Sequence, residues 1–298
     1  MARIESRFEK EIDVRVPLRL EVVTGSGDIS VQRDEDGKLR VTSGFQVRAD
    51  SQEEADELAR RIREDPPIEV ERDLVRIGGL SKYNLGTWPA GPSVVFDFSI
   101  LAPFQTDVQV KSGSGDQDVS GLKGPVTAKA GSGDIQIRNI EGQVETATGS
   151  GDIAVVRVGS SASVRAGSGD LDLAEIGGEV SVRIGSGDIR LRQLGGNTHV
   201  ATGSGDINLE SAIADGVQWV FKAGSGDVDL VLPGGSRFNL SARSVLGEIE
   251  TDFGLRASGG IGKRVDGKVG DNPASGITVK TAHGDVRIAA QKKPVAAA

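Results

Sequence analysis

The tetrapeptide Gly-Ser-Gly-Asp occurs eight times in this chain of 298 residues, with its aspartate at 28, 116, 134, 152, 170, 188, 206 and 227. From Asp116 to Asp206 the spacing is 18 residues five times in succession. It then becomes 21, and another 21 residues lead to a degenerate copy at Gly247-Glu248; a last version, His283-Gly284-Asp285, follows 37 residues later. A fixed period of this kind marks a repeat architecture, in which each unit buries its apolar side chains only against its neighbours.

Counted from each aspartate, positions +1 and +3 are apolar, as in Ile135/Ile137, Leu171/Leu173 and Ile207/Leu209. Positions +2 and +4 are mostly polar or small, for example Gln136/Arg138 and Arg190/Arg192. This period-two alternation predicts a half-buried strand. Position +6 is apolar again (Leu122, Ile140, Val158, Ile176, Leu194), and position +8 is usually glycine (Gly124, Gly142, Gly178, Gly196), the mark of a second turn. Positions +10, +12 and +14 alternate once more, as in Val144/Thr146/Thr148 and Val180/Val182/Ile184. One repeat is therefore strand, turn, strand, turn. Stacking such units predicts an all-β parallel β-solenoid of about 18 residues per coil with two main sheets, each coil rising about 4.8 Å. Trp219 and Phe221 fall at the inward +10 and +12 phase and are expected in the core.

Residues 1–101 read as diverged first coils interrupted by insertions, since Leu18-Arg19-Leu20-Glu21-Val22 leads into the first Gly-Ser-Gly-Asp. One insertion is a helix over about 52–64. Ser51 and Glu54 form a capping-box pattern, Ala55, Leu58, Ala59 and Ile62 share one face, and Pro66-Pro67 ends it. This helix is expected to cap an open end of the solenoid, where bare strand edges invite pairing. Residues 80–92 read as a loop. Residues 102–290 form the regular solenoid, with a glycine-rich basic insert over 254–275 as a loop or irregular hairpin, and 291–298 is a tail expected to fray. Within the insert, Gly259-Gly260-Ile261-Gly262-Lys263 lacks the spacing of a phosphate-binding loop.

Composition narrows the chemistry. There is no cysteine, so disulfides, thiolate metal centres and cysteine nucleophiles are excluded. Only two histidines, His199 and His283, are present, and both read as surface residues. A net charge of −8 argues against a nucleic-acid partner. No apolar run reaches the ~20 residues of a membrane span. The first residues carry no apolar signal segment, which predicts a cytoplasmic location.

The repeated Thr/Ala-Gly-Ser-Gly-Asp-Ile core (Thr148 to Ile153, Ala130 to Ile135), the Phe98-Ser99-Ile100-Leu101-Ala102-Pro103 segment and the closing Gly276-Ile277-Thr278-Val279-Lys280-Thr281 resemble the bacterial β-strand-repeat proteins labelled putative adhesins, related to the head GIN domain. The resemblance spans nearly the whole chain and implies an adhesin-like role with no catalytic residue. Members of that family often carry signal peptides or membrane segments, a pattern from which this sequence departs.

If the coils stack in register, Asp116, Asp134, Asp152, Asp170, Asp188, Asp206 and Asp227 form a column, and they are the candidate binding residues. Like charges about 4.8 Å apart repel by about 1 kcal/mol per pair in water-like dielectric, so something must offset them. Hydrogen bonds from each aspartate's own glycine turn are one expectation. Lys111, Lys129, Arg165, Arg183 and Lys222, five positions earlier, could add compensating charge. Calcium is the alternative, but the twice-per-coil Gly-Gly-x-Gly-x-Asp pattern of calcium-binding β-rolls is absent, leaving few of the six to eight oxygens the ion takes. Outward Asp172, Glu175, Asp229, Arg190 and Arg192 form no singular catalytic constellation. The sequence thus predicts a non-enzymatic interaction or scaffold module without cofactor, displaying a regular surface to a protein or glycan. The alternatives are a structural polymer resembling bactofilins, a calcium-binding solenoid and a glycan-active β-helix enzyme.

Overall fold

Every 18-residue repeat folds as one coil in the computed structural model, which describes residues 1–80, 83, 91–259 and 262–291. A post-turn strand follows the aspartate, and a pre-turn strand runs back to the next glycine turn. Successive coils pair in parallel at equivalent positions, Ile153 with Leu171 and Leu171 with Ile189 in one sheet, Ala162 with Val180 and Val180 with Thr198 in the other. A slip of one residue would turn every inward side chain outward, so the apolar alternation itself fixes this register. Leu173, Ile189, Leu191, Val164 and Val182 are accordingly buried between the two sheets. The chain is the parallel β-solenoid that its period predicts.

A sharp corner follows each post-turn strand. Asn139, Arg157, Glu175 and Gln193 at position +5 have φ between 53° and 58°, and Gly121 occupies the same place at 77°. This left-handed residue lets position +6 turn inward after +3 has done so, which is why Leu122, Ile140, Val158, Ile176 and Leu194 are all buried.

By contact, the chain divides into two compact units, Met1–Ser150 and Gly151–Ala298. In the first, the Asp28 coil is internal. Its strand Ile29–Arg33 pairs with Gln117–Ser120 on one side and with Ser93–Ala102 on the other. Beyond Ser93–Ala102 the sheet continues antiparallel through Leu39–Ala49 to Ala2–Ile12. Phe8, Phe45, Phe96 and Phe98 form a row on its buried face, with successive ring centroids 6.1, 5.5 and 5.4 Å apart. Helix Gln52–Glu64 lies against the two outermost strands and buries Ala55, Leu58, Ala59 and Ile62. The Ser51 hydroxyl accepts the Glu54 N–H at 3.1 Å, as its capping pattern predicts. Phe98 to Ala102 belongs to this sheet. The predicted loop over 80–92 lies mostly outside the described residues.

In the second unit the coils do not stack in chain order. Gly276–His283 lies between Gln218–Ser225 and Phe238–Leu246, and Val286–Gln291 lies between Val228–Pro233 and Ile249–Thr251. The Asp285 coil is therefore inserted between those of Asp227 and Glu248. From the 254–275 segment, strand Lys263–Val269 pairs antiparallel with Phe238–Leu246. Residues 260 and 261 of that segment and the tail 292–298 lie outside the described residues. Trp219 and Phe221 are fully buried, edge to face at 6.4 Å, and the indole N–H donates to the Gly196 carbonyl at 3.1 Å.

Candidate functional site

Within each unit the glycine turns bring the aspartates into a ladder of hydrogen bonds. In the second unit the backbone N–H of Asp170 donates to Oδ1 of Asp152 at 2.7 Å, Asp188 to Asp170 at 2.9 Å, Asp206 to Asp188 at 2.9 Å and Asp227 to Asp206 at 2.8 Å. The ladder then passes to Asp285 at 2.7 Å and ends with the Glu248 N–H on Asp285 Oδ1 at 2.8 Å. In the first unit, Asp134 donates to Asp116 at 2.9 Å, Asp116 to Asp28 at 2.9 Å and Asp28 to Asp97 at 3.0 Å. Each of these carboxylates thus holds a neighbouring coil, not its own turn as the sequence suggests. The reason is directional: the turn's N–H groups point along the stacking axis, as the Gly187 N–H does to the Ser204 carbonyl at 3.0 Å. A charge-assisted hydrogen bond on each carboxylate opposes the repulsion along the column.

The turns need glycine for the same reason. At Gly187, φ is +133°, and a Cβ there would stand 2.0 Å from the Gly169 carbonyl oxygen of the preceding coil. The cationic compensation expected five positions earlier takes another form. Lys129 pairs with Glu145 across its sheet at 3.8 Å, and Lys111, Arg183 and Lys222 make no ion pair among the described residues. Among those residues no three histidine, aspartate or glutamate side chains converge as metal ligands.

The outer faces carry the remaining chemistry. On the post-turn face, Arg138 pairs with Asp118 at 2.5 Å, and one Arg192 amine reaches both oxygens of Asp172 at 2.8 Å. In the second unit a groove of about 560 Å³ opens where residues 211–217 replace the usual corner. Arg192, Glu210, Ser211, Val231 and Gln291 line it. Within it Glu210 accepts from Gln291 at 3.0 Å, while Ser211 Oγ accepts the Leu194 N–H and donates to the Ala212 carbonyl. A shallower depression gathers Asp172, Arg190, Arg192 and Asp229. His199 and His283 are both exposed, on separate strands. No helix of the described residues is long and apolar enough to cross a membrane.

A family model described as Toastrack DUF4097 matches residues 102–175 and 142–289, together more than half of the chain. The chain belongs to the Toastrack DUF4097 family. Solved structures similar to it include a putative adhesin from Bacteroides fragilis, at 12% identity and a TM-score of 0.37, covering 95% of this chain and 97% of that one. A putative lipid binding protein from Parabacteroides distasonis is similar at 12% identity and a TM-score of 0.38, covering 94% and 96%. A putative cell adhesion protein from Clostridium sporogenes is similar at 12% identity and a TM-score of 0.29, covering 96% and 100%. No curated protein matches the chain.

Proposed function

We propose that this chain is a non-enzymatic, adhesin-like scaffold that displays files of outward side chains to a protein or glycan partner. One observation carries this reading: in-register pairing sets equivalent residues of successive coils side by side, so a side-chain type repeated in sequence becomes a row on the surface. The turn carboxylates, the most repeated acidic groups, bond to backbone N–H groups of neighbouring coils and act as structural latches. In the post-turn groove Glu210 is engaged by Gln291, Ser211 by backbone and Arg192 by Asp172, which suits a surface of fixed side chains. Polymerisation resembling that of bactofilins is the weaker reading, because the first unit's post-turn sheet runs out to the antiparallel, charge-rich strand Ala2–Ile12.

The test is a panel of immobilised glycans and proteins probed with the intact chain and with a variant carrying Asp172→Ala, Arg190→Ala, Asn208→Ala and Asp229→Ala along one outward row. Retained fold with binding lost from part of the panel supports display. Shortened products released from any polysaccharide would replace the scaffold with an enzyme.

A further inference from the structure

The outer face of the second unit's pre-turn sheet bears a file of cations. Register pairing joins Arg165 to Arg183, Arg183 through Ala201 to Lys222, Lys222 to Lys280, Lys280 to Arg243 and Arg243 to Arg264. Six of seven successive strands thus place a positive charge at one position, in a protein whose net charge is −8. All six side chains are exposed. Arg264 is paired with Asp266, whereas Arg183, Lys222, Lys280 and Arg243 have no ion-pair partner among the described residues. Arg183, Lys222, Arg243 and Lys280 each stand five residues before the acidic residue of their turn, and the inserted Asp285 coil sets Lys280 between Lys222 and Arg243.

We propose that this file binds a linear acidic polysaccharide, one chain laid along the stacking axis. The inference rests on the scaffold reading and names its partner. Successive coils repeat at about 4.8 Å, close to the length of one sugar ring, so a polyuronate with one carboxylate per ring can meet one cation per coil. The next outward file suits the sugar hydroxyls: Ser163, Ser181, Thr278 and Ser241 stand there, with His199 and Val220 between. Single-stranded nucleic acid is the poorer fit, because its general readers stack bases on aromatic rings. No aromatic side chain is among the large exposed hydrophobic residues described.

The experiment measures binding of a short polygalacturonate to the full chain by calorimetry at low and physiological salt, with dextran and a single-stranded oligonucleotide of equal charge as comparators. Binding to polygalacturonate that weakens as salt rises, with none to dextran, is expected. Arg183→Gln, Lys222→Gln, Lys280→Gln and Arg243→Gln together should reduce affinity roughly tenfold or more. Arg7→Gln, Lys10→Gln, Arg48→Gln and Lys123→Gln, which remove equal charge elsewhere, should change it less than threefold, about 0.7 kcal/mol. The Lys222→Gln, Lys280→Gln pair alone is the milder variant, and circular dichroism verifies the fold of each. No binding of polygalacturonate by the wild type, equal binding of the oligonucleotide, or an equal loss in the control variant overturns the inference. In each of those cases the scaffold reading stands or falls separately, on the glycan and protein panel. Cleavage of the polymer would overturn both.

Discussion

Replacing Gly187 by alanine tests the stacked-turn geometry at its tightest point. The new Cβ would lie 2.0 Å from the Gly169 carbonyl oxygen, where real Cβ atoms do not come closer than 3.0 Å, so the two coils must part by about 1 Å or more. That separation strains three inter-coil hydrogen bonds at once: Gly169 N–H to the Ser186 carbonyl, Leu171 N–H to the Asp188 carbonyl, and Asp188 N–H to the Asp170 carboxylate. Each such bond contributes about 0.5–1.5 kcal/mol, and forcing alanine to a sparsely populated φ costs about 1–3 kcal/mol. A loss of roughly 2.5–7.5 kcal/mol follows. Gly216 is the internal control: its φ is +82°, yet nothing lies within 4 Å of its would-be Cβ. Gly216→Ala therefore meets only the left-handed penalty of about 1–2 kcal/mol, partly offset by about 0.4–1 kcal/mol from a less flexible unfolded chain. Urea unfolding followed by Trp219 fluorescence in a Trp88→Phe background reads both variants. If Gly187→Ala costs no more than Gly216→Ala, the turns are not packed backbone to backbone and the reasoning fails.

Three further outcomes are expected. Asp188→Asn keeps an acceptor for the Asp206 N–H and removes a like charge from between Asp170 and Asp206, so the melting temperature should hold or rise; a fall of several degrees would assign the charge itself a stabilising role. Thr146 is fully buried with no hydrogen-bond partner for its hydroxyl among the described residues, and Thr146→Val should raise stability by about 1–2 kcal/mol in the same urea titration, no gain meaning that the hydroxyl is satisfied. Hydrogen bonds from Lys38 and Arg40 hold the Glu11 carboxyl below the ordinary glutamate range. The stability this contributes is complete above that range and disappears as pH falls through the lowered value. NMR titration should show Glu11 moving back up in Arg40→Gln, and an unchanged titration would remove the arginine from its environment.

Much of the architecture was legible because the period is written in residues with single-valued roles. Ile189 and Leu191 alternate with Arg190 and Arg192, and only one register buries the first pair. Trp219 and Phe221 follow from the same phase. Other features were hidden for physical reasons. Strand order is decided by which edge a strand finds, so nothing in Gly276–His283 announces that it enters between two earlier coils. Asp97 joins the ladder without a glycine beside it, between Phe96 and Phe98, and its alternation reads as an ordinary strand. Arg157, Glu175 and Gln193 occupy left-handed corners that sequence assigns to glycine or asparagine, because the buried residue at +6 imposes the corner on whatever precedes it. The cation file was legible in part: Arg183, Lys222, Arg243 and Lys280 each stand five residues before the acidic residue of their turn, but the placing of Lys280 between Lys222 and Arg243, and the addition of Arg264 from an antiparallel strand, were not.

Sedimentation velocity over a concentration series, in EDTA and again in millimolar calcium, tests the central claim that the aspartate ladders are internal latches of a self-contained display scaffold. One species with the same sedimentation coefficient at every concentration and in both buffers is the predicted result. Species that grow with concentration would make the chain a polymer subunit, and a change seen only with calcium would make the ladders a metal-binding device; either would contradict the account.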